Sequence, residues 1–336
     1  MRWSRRVKIN LVIAFVVILG FSVSLVGIYR DGQRRQQLAN RTSILVDGTR
    51  YYLKDNMINI LVLGIDLRGE IENENHQLGH NGQSDMMCVV SLDKDTHKVT
   101  LLTIPRETMT TIDVSMAKML GMAETIEAQI CLQYGYALSS QMGAELATTC
   151  VEHLLGIPID YYVAISMGGI ETLVDDIGGV DVTMSQEYLI PSYLNNPNEP
   201  EWITYTQGAS VHMTGAEAYE FVHFRDTTRN STNLERMDRQ KDFFQAFVSG
   251  AKQSFQSDVT RVVDIAQDLD GYMTTNIATE DYAFLATEAF AAKLDENTIQ
   301  RIPGEEVHVE TYDEYHVDEA SLLEMMLPIY YETLEP

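Results

Sequence analysis

The 336-residue chain has little of several things, and each scarcity excludes a class of protein. It holds three cysteines, Cys88, Cys131 and Cys150, with no Cys-x-x-Cys pair. A disulfide framework and a zinc ribbon are therefore excluded. An oxidising location would allow Cys131 to pair with Cys150; three small buried residues is the other reading. Eight prolines rule out a collagen-like or polyproline architecture, and no internal repeat is present. Basic residues are scarce too. The first thirty residues hold five basic and no acidic groups, leaving 19 basic against 49 acidic beyond them. A domain of that charge does not bind nucleic acid through bulk electrostatics.

Long apolar runs are also few. One stands out, residues 9–29, which are uncharged and rich in Val, Ile, Leu and Phe. A membrane crossing needs about 20 such residues. A cleavable signal peptide is the competing reading, but its apolar core is usually about 7 to 15 residues and ends near Ala-x-Ala, which is missing here. The expected organisation is a short cytoplasmic tail over 1–8, a transmembrane helix over 9–29, a polar and partly helical stalk over 30–56, and an extracytoplasmic domain over 57–336. Arginines flank the apolar run on both sides, so charge alone leaves its orientation open. The short tail favours the N-terminus inside.

Within the domain, apolar runs at 58–63, 86–92, 99–104 and 161–165 predict buried strands. Helices are predicted over 123–135, 143–155, 168–177, 214–221 and 233–252, with further helices at 258–268, 280–292 and 317–332 and strands at 180–184 and 298–302. Interleaved strands and helices point to an α/β fold. Residues 187–207, with Pro191, Pro197, Pro200 and Trp202, read as a long loop and candidate lid. The acids at 305, 306, 310, 313 and 314 read as a solvated surface.

Asp66 follows the first predicted strand and Asp85 precedes the second, so adjacent strands bring two carboxylates to one sheet edge. Two carboxylates suit a hard divalent cation, although either alone is more often a turn or cap residue. Arg106 ends the third strand at the same edge. Arg225, Arg229, Arg236 and Arg239 crowd fifteen residues of an acidic domain, and helical spacing puts Arg236, Arg239, Gln240 and Phe243 on one face. Guanidinium forks match phosphate oxygens, whereas a solvated face paired with Glu235 and Asp238 is the bland alternative. His76 and His80 have metal-like spacing but lie in a Gly- and Asn-rich loop. Met86, Val89, Val163, Ile165, Met167, Phe221, Phe224, Phe243, Phe244 and Phe247 are candidates for an apolar groove, or simply core.

Six segments in one order carry a resemblance: Asn59 to Asp66, Gln83-Ser-Asp85, Leu102 to Arg106, Leu173 to Val180, His223-Phe-Arg225 and Arg236-Met-Asp-Arg239-Gln240. Residues 57 to about 250 resemble the LytR-CpsA-Psr family of cell-wall glycopolymer transferases. The resemblance implies a three-layer α/β/α fold with a central mixed sheet. It also implies a membrane-anchored phosphotransferase that moves a phosphate-linked glycopolymer, such as a teichoic acid or capsule, from a polyprenyl-pyrophosphate carrier to a peptidoglycan hydroxyl. A non-catalytic module binding polyprenyl phosphate or pyrophosphate is the alternative. By motif match, Asp66 and Asp85 hold Mg²⁺ (or Mn²⁺), and Arg106, Arg225, Arg236, Arg239, Gln240 and Gln83 hold the pyrophosphate. Arg106, Arg225 and Asp85 are the catalytic residues so implied. Gln83 and His223 stand where the family pattern has arginines, and Glu107 where it has aspartate; Arg68 and Arg229 are candidates to compensate.

Overall fold

A computed structural model describes residues 41–71, 82–116, 124–226, 232–257, 261–278, 280–293, 298–309 and 312–333. The expected span 9–29, His76, His80 and Arg229 lie outside these. Among the described residues no helix is long and apolar enough to cross a membrane. The chain forms two compact units, one of Asn56–Glu324 and one that joins the N-terminal segment through Asp55 to Met325–Pro336.

In the smaller unit, β1 (Ser43–Val46) and β2 (Thr49–Leu53) form a hairpin whose tight turn places Asp47 and Gly48 at positive φ. This is a strand pair in part of the segment read as a partly helical stalk. A last strand, Tyr331–Thr333, adds to β2.

The larger unit is built on strands that the apolar runs predicted. β3 (Met57–Ile65), β4 (Ser84–Asp93) and β5 (Val99–Thr103) are consecutive and antiparallel. Two short strands, β6 (Met109–Asp113) and β7 (Thr125–Gln129), then pair with each other, and a 3-10 helix covers Ile130–Tyr136. This corrects the helix expected over 123–135: Thr125 to Gln129 alternates in exposure, as an edge strand does, and only the segment after it coils.

The first long helix, α1 (Ser140–Leu155), is capped by Ser139 and stops at left-handed Gly156. β8 (Tyr161–Ser166) lies parallel to β3, and α2 (Met167–Asp176) follows it directly. Next come β9 (Val180–Thr183), β10 (Tyr188–Ser192), β11 (Glu201–Tyr205) and β12 (Ser210–Met213). β10 and β11 form an antiparallel hairpin, which corrects the loop expected over 187–207. Pro191 suggested a break, but a two-stranded ribbon has an outer side where a missing N–H costs nothing.

α3 (Gly215–His223) opens with a capping box of Thr214 and Glu217. α4 (Thr232–Ser257) is the longest helix among the described residues, followed by α5 (Arg261–Asp268), β13 (Met273–Thr275), α6 (Asp281–Ala291) and β14 (Ile299–Arg301). The acidic stretch read as solvated surface is a hairpin of β15 (Gly304–Val309) and β16 (Tyr312–Val317), and Asp313 within it is buried. α7 (Glu319–Tyr330) precedes the last strand, β17 (Tyr331–Thr333).

The central sheet is mixed, with order β13-β8-β3-β4-β5-β14. β3 is interior, and Leu61, Leu63 and Ile65 are fully buried. That burial explains the continuous apolar run that predicted it. The fold class is α/β with a six-stranded mixed sheet, as expected. The three cysteines are buried and free.

Candidate active site

The site begins where β3 ends. β3 and β4 are antiparallel and Ile65 pairs with Ser84 across a bulge, so Asp66, just past the end of β3, and Asp85, the second residue of β4, meet at one edge. The backbone fixes both to the same carbonyl, since the Asp66 and Asp85 N–H groups donate to Gln83 O at 2.9 and 3.1 Å. β5 runs back along β4 with Thr103 opposite Cys88, which delivers Arg106 to the same edge. Gly168 lets the Asp66 to Arg68 loop lie across the start of α2. A Cβ there would stand 2.3 Å from Arg68 O, and Met167 N donates to Leu67 O at 2.9 Å.

Asp85 is the centre. Its carboxylate accepts Arg106 on one oxygen and Arg236, from α4, on the other at 3.0 Å. Arg106 also donates to Gln83 Oε1 at 2.5 Å. The Gln83 side chain therefore accepts from an arginine of the site. Arg225 follows α3 and is held between Glu107, at 3.3 Å, and Asp313, at 2.7 Å. Asp313 in turn takes His308 Nδ1 at 2.8 Å, and its carbonyl accepts Gln129 Nε2 at 2.7 Å. Asp85, Arg106, Arg225 and Arg236 thus converge as the motif spacing anticipated. Asp313 was missed: its partner is 88 residues away in the chain, and no local signal announces the pairing.

Arg239 and Gln240 turn differently. Arg239 caps the C-terminal end of α3, donating to Phe221 O at 2.9 Å and to Phe224 O, and Gln240 donates to Val222 O at 3.4 Å. Carbonyls at a helix end are a favourable seat for a cation. Burial still holds the Arg239 guanidinium down at about 10, with Arg236 adding to the effect. Burial likewise lowers Arg236, against the pull of Asp85. For Arg106, burial is more than offset by Cys131 and by the acids Asp85, Glu107 and Asp66, so its affinity for the proton rises. Burial raises the Glu107 carboxyl, with Arg106, Arg236 and Arg225 opposing. Three guanidiniums, Arg106, Arg225 and Arg236, meet three buried acids, Asp85, Glu107 and Asp313, so the charges balance and a phosphate is received by guanidinium N–H groups that exchange a carboxylate partner for it.

Asp66, Asp85 and His223 form a candidate cation site, with their ligand atoms all within 4.8 Å of one another. An octahedral Mg²⁺ or Mn²⁺ with bonds of about 2.1 Å has ligands up to about 4.2 Å apart, so the group fits with a small closure. His223 Nδ1 is buried with no hydrogen-bond partner among the described residues. His223 stacks on Tyr219 at 5.1 Å, and Arg68 lies over the other partner of that stack, 4.8 Å from the Tyr219 ring centre.

Beneath the charged cluster the surface turns apolar. A narrow cavity of about 30 Å³ runs from Asp85, Arg106 and Gln240 down to Leu101 and Phe244. The same Leu101 and Phe244 line a second cavity of about 400 Å³ between the sheet and helices α4 and α6. Ile58, Val90 and Val99 form its sheet wall; Phe247, Ala251, Leu285 and Ala289 face them. Of the residues suggested for a groove, Val163, Phe244 and Phe247 line the large cavity and Met86 the narrow one. Val89, Ile165, Met167, Phe221 and Phe243 are core, and Phe224 borders a different cleft.

This architecture recurs in known proteins. The LytR_cpsA_psr family model matches residues 25–327, and the chain belongs to that family. It is 27% identical over 252 residues to the polyisoprenyl-teichoic acid–peptidoglycan teichoic acid transferase TagU of Bacillus cereus, an alignment covering 75% of this chain and 70% of TagU. The crystal structure of Bacillus subtilis TagV superposes with a TM-score of 0.61 at 22% identity, covering 81% of this chain and 95% of that one. A structure of TagT bound to LI-WTA superposes at 0.55 with 18% identity, over 81% of this chain and 88% of TagT.

Proposed function

We propose that the protein is a membrane-anchored phosphotransferase that moves a phosphate-linked glycopolymer from a polyprenyl-pyrophosphate carrier to a hydroxyl of peptidoglycan. One observation carries the reading: a guanidinium cluster fit for a diphosphate and an apolar cavity fit for a prenyl chain lie on either side of a small cavity that shares Asp85 and Arg106 with the first and Leu101 and Phe244 with the second. A polar head and a greasy tail joined end to end are what such a carrier presents. The relatives that transfer teichoic acid to peptidoglycan support the same chemistry.

In this reading residues 9–29 anchor the chain with its N-terminus inside, and the residues after them, the hairpin of β1 and β2 included, work outside the membrane. Arg106, Arg225 and Arg236 hold the diphosphate. Arg239 and Gln240 fix the end of α3 beside it, and Gln83 orients Arg106. The acceptor oxygen attacks the sugar-proximal phosphorus as the bond from that phosphorus to the bridging oxygen breaks. Polyprenyl phosphate leaves with the bonding pair, and the hydroxyl proton passes to water. Arg106 and Arg236 neutralise the charge that builds on the departing phosphate. Asp66, Asp85 and His223 would hold a divalent cation, which when bound adds charge neutralisation at the phosphate oxygens. The imidazole favours Mn²⁺ over the more strictly oxygen-seeking Mg²⁺.

A second reading, a binding module without turnover, draws on Asp85, whose two oxygens are both engaged by arginines. The test is incubation of the full-length protein in detergent with a synthetic prenyl-pyrophosphate oligosaccharide, an uncross-linked glycan and Mg²⁺ or Mn²⁺. Glycan joined to the acceptor through a phosphodiester supports the enzyme. Binding without product leaves the module, and absence of binding overturns both.

A further inference from the structure

On the far side of α4 from the apolar cavity lies a cleft of about 490 Å³ that no step of the proposed reaction uses. Tyr188 and Leu189 of β10, Trp202 of β11, Phe224 and Arg239 line it, and Glu187, Asp226 and Glu235 complete its rim. Trp202 and Leu189 are each 56% exposed, a large apolar area to leave in water beside a cleft. By the hairpin register, Pro191 opposite Trp202 and Thr204 opposite Leu189, the two lie on one face of the ribbon.

The wall is held rigidly. Asp242 of α4 accepts from Ser185 N–H at 2.9 Å, Ser185 Oγ at 2.8 Å and the Tyr188 hydroxyl at 2.8 Å, tying the start of β10 to the helix. Phe224 meets the Trp202 ring edge to face at 6.1 Å, and the Arg239 guanidinium sits 5.7 Å from Phe224 and 5.9 Å from Tyr188. Arg239 is one turn from Arg236, so the cleft begins where the diphosphate cluster ends.

We propose that this cleft is a saccharide subsite in which Trp202 stacks on a sugar ring. The proposal rests on the transferase reading for its neighbour, the diphosphate. A sugar has an apolar C–H face that suits an indole plane and a rim of hydroxyl donors that suit carboxylate acceptors. The three acids reject phosphate groups, so the cleft selects an uncharged sugar unit rather than the phosphate-rich part of a glycopolymer. The saccharide belongs either to the acceptor glycan or to the first sugar of the donor.

Trp3 and Trp202 are the only tryptophans, so the full chain carrying Trp3→Phe reports on Trp202 alone. Three probes are titrated against its emission in detergent: a phosphate-free N-acetylhexosamine tetrasaccharide, a short-chain prenyl-pyrophosphate disaccharide, and the same prenyl pyrophosphate without sugar. The expected result is a saturable emission change with at least one sugar-bearing probe and none with the bare pyrophosphate. A response to the free tetrasaccharide identifies the acceptor; a response only to the sugar-bearing pyrophosphate identifies the donor. By calorimetry, Trp202→Ala weakens the responding sugar by about tenfold and leaves bare prenyl-pyrophosphate affinity within about twofold. Unchanged emission with both sugars, or equal sugar affinity in Trp202→Ala, overturns the subsite. If that occurs while bare prenyl pyrophosphate still binds, the transferase reading survives. Loss of prenyl-pyrophosphate binding instead sinks that reading and not the subsite.

Discussion

The two halves of α4 sit in opposite kinds of surroundings. Its N-terminal half puts Arg236 and Arg239 among acids and carbonyls, where both are nearly fully buried and strongly hydrogen-bonded. Its C-terminal half puts Phe244, Phe247 and Ala251 against the sheet, yet a cavity of about 400 Å³ separates the two. Charges taken out of water have to be paired, so the first region is crowded with partners. Apolar walls carry no such requirement, and protein interiors normally close up. A groove of this size, open to solvent at Ala289 and lined by alanines and branched side chains, leaves apolar surface in water and is a feature to explain; a ligand tail explains it. One region is built around paired charges, the other around a volume.

The strongest way to break that contrast is at Asp85. Asp85→Ala leaves Arg106 and Arg236 facing each other without their shared acceptor. Removing one partner of a buried ion pair costs about 3 to 5 kcal/mol, so urea unfolding should shift by that order and transfer should fall by about a thousandfold or more. Asp85→Asn keeps the shape but removes the charge and turns one accepting oxygen into a donor facing an arginine, so it should lose stability of the same order and turnover with it. Wild-type turnover in either variant contradicts the role given to Asp85.

Next is the cavity. Ala289→Leu fills part of it without touching the charged cluster. The affinity for a long prenyl donor should fall about tenfold, with a much smaller change for a short-chain donor, since each displaced methylene is worth about 0.8 kcal/mol. Equal loss for both chain lengths would place the tail elsewhere.

Asp313→Asn comes third. Arg225 keeps Glu107 but loses a charged partner, so kcat is expected to drop about tenfold while stability falls by about 1 to 3 kcal/mol. A change in stability alone would make Asp313 a structural residue only.

These regions also differ in how readable they were. The cluster was largely legible because its members end strands whose apolar runs are unmistakable: Asp66 after Ile65, Asp85 before Met86, Arg106 after Ile104. Strand ends at one edge of a sheet are neighbours whatever fills the loops. The helical spacing of Arg236 and Arg239 was legible too, but not their divergence, because carbonyls at the end of α3 compete for Arg239 and no pattern of side chains encodes that. Asp313 was hidden in a run of acids that looks like any solvated surface. The cavity was only half visible. Phe244 and Phe247 could be named, but Ala251 and Ala289 matter for what they leave empty, and small residues carry little periodic signal.

Two smaller effects sharpen the picture of the charged half. Burial raises the Glu107 carboxyl above its ordinary value of 4.5. The folded state then binds more proton than the unfolded state, so Glu107 makes stability fall as pH rises from 4.5 through its folded value. Glu107→Gln should flatten that slope in urea titrations; an unchanged slope means another group causes it. The thiols of Cys88, Cys131 and Cys150 are pushed up to about 12, chiefly by burial. A thiol reagent at pH 8 should therefore label none of them until the chain unfolds. Fast labelling of Cys131, which lies 3.8 Å from Gln83 Oε1, would mean the cluster is open to solvent.

The central claim is that one molecule spans both regions, head among the arginines and tail in the void. The most direct measurement is a crystal structure of the protein with a short-chain prenyl pyrophosphate. The account predicts phosphate oxygens within hydrogen-bonding distance of Arg106 and Arg236 and prenyl carbons between Phe244 and Leu285. Diphosphate density away from those arginines, or a tail lying outside an unfilled cavity, would contradict it.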